Sequence, residues 1–269
     1  MKFKVLIVLM LVAVAWVVGR NVHVNHSDVF ESDGREEIRR SFQLEPGAEV
    51  EVRGINGSVD VATAEGNAAE VHIVRTAENK SDLDKQKIVI EQTPTSLTIY
   101  GKNRGSSWWK FWQHGEVRQQ ITLKLPRSIE FNAKGINGGV KVGELDGGLQ
   151  VSGVNGRVEV AQFTGYGEVS GVNGRVSIGV ARLSEQGISV KGINGGVELR
   201  LPADTNADLN IKGHNGGVSN NLSNLTEQER THSSMRARIG TGGAEISLTG
   251  INGGVQLEPA ATTTTTGTN

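Results

Sequence analysis

The side chains that could carry chemistry are few and scattered. There is no cysteine, which removes disulfides, thiolate metal sites, cysteine nucleophiles and a lipid-modified cysteine. His23 and His26 are spaced like weak metal ligands, but no acidic or thiol partner accompanies them, so a solvated tether is the better reading. Asp60 and Glu159 occupy the same position in two copies of a repeat and raise the question of a carboxylate pair for glycoside chemistry. Lys141 takes that position in the copy between them, which reads instead as a solvated face of mixed charge. Glu144-Leu-Asp146-Gly-Gly has the look of one turn of a calcium-binding repeat, yet it occurs once. No nucleophile elbow, His-Glu-x-x-His or phosphate loop is present. No catalytic, cofactor-binding or metal-ligating residue is therefore expected, and no cofactor.

One segment is chemically distinctive for another reason. Arg104–His114 holds three of the four tryptophans, Trp108, Trp109 and Trp112, together with Phe111. Three readings stay open. The aromatics fold back as a cap on an open end of the fold. They sit at a membrane interface, helped by Arg104 and Lys110. Or they stack on glycans through flat apolar faces. The charge balance of 28 basic against 29 acidic residues, a net −1, argues against a nucleic-acid partner.

The elements that must carry these residues are read from an internal repeat. Gly-[Ile/Val/His]-Asn-Gly occurs seven times in a chain with 36 glycines and only 5 prolines. The turn residues are Gly54, Asn56 and Gly57; Gly135, Asn137 and Gly138; Gly153, Asn155 and Gly156; Gly171, Asn173 and Gly174. They continue at Gly192, Asn194 and Gly195; Gly213, Asn215 and Gly216; Gly250, Asn252 and Gly253. The steps between first glycines are 81, 18, 18, 21, 21 and 37 residues, which suggests weaker units inside the longest gaps.

Two residues after every Asn-Gly stands a valine, and two before every first glycine stands an apolar residue such as Val52, Ala133 or Ile211. Polar residues fill the alternate positions: Arg53, Lys134, Ser152, Ser170, Lys191, Lys212 and Thr249 before the turn. After it come Asp60, Lys141, Glu159, Ser177, Glu198, Ser219 and Gln256. This period-2 alternation on both sides of a turn predicts strand, Asn-Gly turn, strand. Asn-Gly suits a corner because both residues tolerate positive φ, and the leading glycine leaves room for close backbones.

No amphipathic helix of useful length is visible to cover an open meander. The pattern therefore predicts an all-β chain forming a β-solenoid, parallel β-helix-like, of about 18–21-residue rungs with Asn-Gly corners, its asparagines stacked in a hydrogen-bonded ladder. A closed antiparallel barrel or prism is the alternative.

The expected organisation begins with Lys2 and Lys4 ahead of an apolar run from Val5 to Val18. Residues 1–20 read as a signal peptide cut after Ala15, or as an uncleaved signal anchor held by Trp16 and Arg20. A polar tether over 21–41 runs into a first strand near Glu37–Leu44. An N-terminal β region follows over 42–134, with strands expected at Glu70–Thr76, Lys87–Gln92, Ser96–Tyr100 and Val117–Leu125 and the Trp-rich loop at 104–114. Regular repeats occupy 135–258, interrupted by a polar surface loop at 220–238. Residues 259–269, with five consecutive threonines, read as a disordered tail.

The repeated Gly-Ile-Asn-Gly-Gly-Val and Ser-Gly-Val-Asn-Gly-Arg-Val segments, behind an exported N-terminus, resemble the bacterial putative-adhesin family of unknown function. They are similar to the head-GIN autotransporter adhesins over about residues 40–258. The resemblance implies an extracytoplasmic, Gly-rich β-helical domain without catalytic residues. His214 and Asn220 depart from the pattern, so the unit at 209–220 is expected to be incompletely buried. The combined expectation is a non-enzymatic, exported, adhesin-like scaffold at the cell surface or envelope. Its partners would be an envelope glycan, a membrane surface or another surface protein, with end-to-end self-association through terminal units. The alternatives are a membrane-anchored envelope-stress accessory protein and a glycan-active β-helix enzyme.

Overall fold

A computed structural model describes residues 25–32, 34–103 and 116–260. The segment at 1–20, His23, the loop carrying Trp108, Trp109, Phe111 and Trp112, and residues 261–269 of the tail lie outside the described residues.

The N-terminal part comprises β1 (Asn25–Ser32), β2 (Arg35–Gln43), β3 (Ala48–Ile55), β4 (Gly57–Ala64) and β5 (Ala68–Thr76). A short helix, α1 (Lys80–Lys85), leads to β6 (Gln86–Thr93), β7 (Ser96–Asn103) and β8 (Arg118–Pro126). The middle holds β9 (Ile129–Ile136), β10 (Val140–Leu145), β11 (Leu149–Val154), β12 (Val158–Val172), β13 (Val176–Ile193) and β14 (Val197–Leu201). The C-terminal part comprises β15 (Ala207–His214), β16 (Val218–Asn220), β17 (Leu225–Arg230), β18 (Ser234–Ile239), β19 (Ala244–Ile251) and β20 (Val255–Pro259). The four strands expected in the N-terminal gap correspond to β5, β6, β7 and β8.

Each strand forms because alternate residues are apolar and turn to one shared core. In β8, Ile121, Leu123 and Leu125 are buried while Gln120, Thr122 and Lys124 are exposed. The strands that lead into a corner break this alternation near their ends. In β9 both Lys134 and Gly135 are exposed, and Ile136 is buried again. Gly135 has φ +63, a left-handed conformation that inserts one residue and rephases the strand. That is why the residue between the first glycine and Asn is apolar: Ile136, Val154, Val172 and Ile193 all point into the core.

The close approach falls on the other glycine from the one expected. The leading glycine supplies positive φ and has space, since a Cβ on Gly153 would come no nearer than 3.6 Å to another atom. The glycine after Asn supplies the close approach: a Cβ on Gly156 would collide with the carbonyl oxygen of Gly138 in the neighbouring repeat.

Neighbouring repeats pair in parallel with their motifs aligned. The valines after the corners form one row across the sheet: Val59, Val140, Val158, Val176, Val197, Val255 and Val218. One continuous core lies beneath, with Phe131 and Phe163 among its largest fully buried side chains.

The expected parallel β-solenoid of uniform 18–21-residue rungs is corrected by the topology. The twenty strands form a single sheet, a nearly closed barrel with mixed strand pairing. Antiparallel pairs join β1 to β2, β2 to β5, β5 to β8 and β6 to β7. They also join β15 to β18 and β18 to β17. The wholly antiparallel alternative does not form either. The physical reason lies in the gaps between motifs. The segments there lack the Gly-x-Asn-Gly corner: β7 and β8 still pair in parallel with β3 and β4, but each also takes an antiparallel neighbour, β6 and β5 respectively.

Two further segments differ from expectation. Part of the tether is strand, since β1 and β2 pair antiparallel from Asn25 to Ser41. The loop expected at 220–238 is largely the β17–β18 hairpin, with Met235 and Ala237 buried.

Candidate binding face

The strands that follow the corners bring three outward columns side by side. The first runs Ser58, Gly139, Arg157, Arg175, Gly196, Gly254 and Gly217, the residues preceding the aligned valines. The second runs Asp60, Lys141, Glu159, Ser177, Glu198, Gln256 and Ser219. A third contains Gly179, Arg200 and Glu258. Glycines are thus interspersed among charged and hydroxyl side chains, and where they stand the surface dips.

Three depressions result. One of about 130 Å³ lies among Ser58, Asp60, Gly139, Lys141, Arg157 and Glu159. A second of about 240 Å³ lies among Arg175, Gly196, Glu198, Gly254 and Gln256. The third, about 600 Å³, lies among Gln162, Gly179, Arg200, Pro202, Asp204 and Pro259. Arg200 is tied down at its wall. It donates to Ser177 Oγ at 2.7 Å, to Glu198 Oε1 at 2.7 Å and to the Val160 carbonyl at 3.2 Å.

Along the corner the asparagines form a continuous amide ladder. Asn137 donates Nδ2 to Oδ1 of Asn56 at 2.8 Å, Asn155 to Asn137 at 3.1 Å, and Asn173 to Asn155 at 3.0 Å. Asn194 donates to Asn173, Asn252 to Asn194, and Asn215 to Asn252. Only the last runs against sequence order, because β19 and β20 insert between β13–β14 and β15–β16. The far end is closed where Asn56 Nδ2 donates to the Val117 carbonyl at 3.0 Å. The ladder holds the corners in register, which keeps the outward columns straight.

The strands that precede the corners present a different surface. Arg53, Lys134, Ser152, Ser170, Lys191, Thr249 and Lys212 share one outward column. Its charges are locally engaged at two places. Lys191 pairs with Glu168 at 2.9 Å, and Arg53 stacks over the Tyr100 ring at 4.8 Å. Glu91 accepts the Tyr100 hydroxyl at 2.8 Å and raises its pKa. At the C-terminal unit, His214 is half-buried against the Gly216 carbonyl and Asn220 is half-buried, in keeping with their departure from the repeat pattern.

Asp60 and Glu159 each neighbour Lys141 in register, so they do not face one another across an open cleft. Glu144 and Asp146 both approach Arg127, at 2.6 and 3.4 Å, as a surface ion-pair cluster. Among the described residues no group of three His, Asp or Glu could hold a metal ion. No described helix is long and apolar enough to cross a membrane. Arg157 and Arg175 are the residues that motif reading passed over. Their signal is visible in hindsight, since Arg follows Asn-Gly in those two copies where Gly follows it in four others.

No family model matches this chain, and no curated protein matches it. Similar solved structures include a putative cell adhesion protein from Clostridium sporogenes, at 13% identity and TM-score 0.35, covering 82% of this chain and 98% of the other. A putative adhesin from Bacteroides fragilis has 9% identity and TM-score 0.31, covering 82% and 96%. A putative lipid binding protein from Parabacteroides distasonis has 10% identity and TM-score 0.25, covering 83% and 94%. At these values the likeness carries no argument about what this chain binds, and the repeat-family resemblance stays one of sequence motifs.

Proposed function

We propose that this protein is a non-enzymatic binding scaffold of the cell envelope, exported by its N-terminal segment. One observation carries the reading. Aligned repeats place polar side chains in straight outward columns on a rigid, single-core sheet, with glycine-floored depressions between them. Such a face suits an extended polymer, which can make the same contact at successive strands about 4.8 Å apart. Weak single contacts then add through multivalency. Export is supported by Lys2 and Lys4 ahead of the Val5–Val18 run.

Two measurements test the reading. The native protein is recovered from shaved and unshaved whole cells, and its N-terminus and intact mass are determined. A mature end at Trp16 with protease-accessible peptides supports a surface scaffold. An intact Met1 or Lys2 end, protected in the membrane fraction, favours the membrane-anchored accessory role. The purified protein is then mixed with isolated cell envelopes. Absence of cosedimentation would end the scaffold reading.

A further inference from the structure

We infer that Arg157 and Arg175 form an anion clamp on the face that follows the corners, and that its ligand is an anionic glycan carrying carboxylate or phosphate groups. The inference rests on the scaffold reading and names the ligand chemistry of that face.

Each arginine stands immediately before its strand, and the Val158 amide donates to the Arg175 carbonyl at 2.9 Å. The two side chains therefore leave neighbouring strands at one register, about 4.8 Å apart at the backbone. Both are exposed, and among the described residues neither guanidinium makes an ion pair or a hydrogen bond. That contrasts with Arg200 on the same face, which is held by Glu198 and Ser177. Two like charges side by side repel each other, and an anion bound between them removes that repulsion. Two planar forks at this spacing can both donate to one carboxylate or phosphate.

The surroundings argue for a glycan. Gly139 flanks the pair on one side, and Gly196, Gly254 and Gly217 continue the column on the other. The glycine strip leaves a channel running across the strands, bordered by Ser177, Glu198, Gln256 and Ser219. The Gln256 amide and the Ser219 hydroxyl along this floor, with the Glu159 and Glu198 carboxylates beside the arginines as acceptors, match a hydroxyl-rich chain. A lipid surface would need exposed apolar side chains, which this strip does not offer, and the near-neutral chain lacks the basic excess of a nucleic-acid binder.

The test measures binding of the purified protein to oligogalacturonate and to phosphomannan, which separate carboxylate from phosphate. Methyl-esterified oligogalacturonate and dextran are the neutral controls, and phosphatidylglycerol vesicles are the lipid control. The expected result is binding to at least one anionic glycan, weakened by salt and by about tenfold or more in the Arg157→Gln, Arg175→Gln variant. The Arg157→Lys, Arg175→Lys variant, which keeps the charge and loses the fork, should fall between. Lys134→Gln with Lys212→Gln, a matched charge loss on the other face, should change binding less than about twofold. Circular dichroism and the thermal midpoint confirm that each variant folds.

Equal binding by the double glutamine variant overturns the inference. So does equal binding to the neutral glycans, binding to vesicles alone, or no binding to either anionic glycan. If wild type still cosediments with envelopes in any of these cases, the clamp fails and the scaffold reading survives. If it does not, the scaffold reading fails as well.

Discussion

From β9 to β14 every strand pairs in parallel with the equivalent strand of the neighbouring repeat. At both ends antiparallel pairs join the parallel ones. β5 lies against β8, β6 against β7, and β18 against β15. The difference shows what a repeat can and cannot do. A repeat specifies its neighbour, since the same corner and the same inward residues meet at every step. It cannot specify where to stop, because the last copy presents another unpaired edge. The end strands solve that problem with a different pattern. β17 is the clearest case. Beyond a half-buried Leu225 its residues are exposed, and it carries Glu227, Glu229 and Arg230 on an edge that a further apolar strand would meet poorly. Arg230 donates to Glu227 and lowers the pKa of that carboxyl.

The largest test of this contrast removes a large side chain from each region. Phe163 is fully buried beneath the central repeats, and Phe163→Ala should cost about 3–5 kcal/mol in denaturant unfolding. Met235 is equally buried in the terminal hairpin. Met235→Ala should instead release β17–β18 locally, seen as lost amide-exchange protection there while β9–β14 stay protected. A uniform loss across the chain would show that ends and middle unfold as one unit.

Close approach between corners comes next. Gly156→Ala forces a methyl group against the Gly138 carbonyl and should cost about 3 kcal/mol. At Gly217, by the terminal strand β16, nothing lies within 4 Å of an added Cβ, and Gly217→Ala should stay within about 0.5 kcal/mol. Equal effects would mean that the corners are not in contact as described.

The amide ladder gives a smaller effect. Asn155 both donates to Asn137 and accepts from Asn173, so Asn155→Ala should cost about 1–2 kcal/mol. Asn215 at the ladder's end makes one such bond, and its replacement should cost about half as much.

The smallest effect is a pH dependence at the two ends, where the Glu37 and Glu227 carboxyls are both held low. The Arg39 guanidinium, and after it His72, hold the Glu37 carboxyl below its ordinary value of 4.5. A lowered folded-state pKa contributes stability that is complete above about 4.5 and is lost as pH falls through the folded-state value. Acidification should therefore weaken protection around Glu37 and its β5 partner Val74 before the middle responds. Glu37→Gln should abolish the pH dependence around that residue in exchange measurements.

Much of this architecture was legible residue by residue. Val140, Val158 and Val176 with polar neighbours announced strands, and the spacing of Asn137, Asn155 and Asn173 announced a ladder. The site was legible only in part. Asp60, Lys141 and Glu159 form one column in the sequence, but Arg157 and Arg175 carry no assigned role there. Nothing local says that two exposed arginines lack partners, since ion pairs such as Arg127 with Glu65 or Lys124 with Glu70 join residues far apart in sequence.

Across the repeats the amino-acid sequence by itself determined which residues form strands and where the chain must turn, because side-chain alternation and glycine's access to positive φ are local properties, whereas β1 and the β17–β18 hairpin were not legible there. The tertiary structure alone decided the order of the strands. Asn252 sits between Asn194 and Asn215, although it comes last in the chain. Every motif copy carries nearly the same corner, so local chemistry does not distinguish the two neighbouring places. The β17–β18 hairpin breaks that tie. It occupies one edge of β15 and leaves the other for β19, which closes the core between β13 and β15.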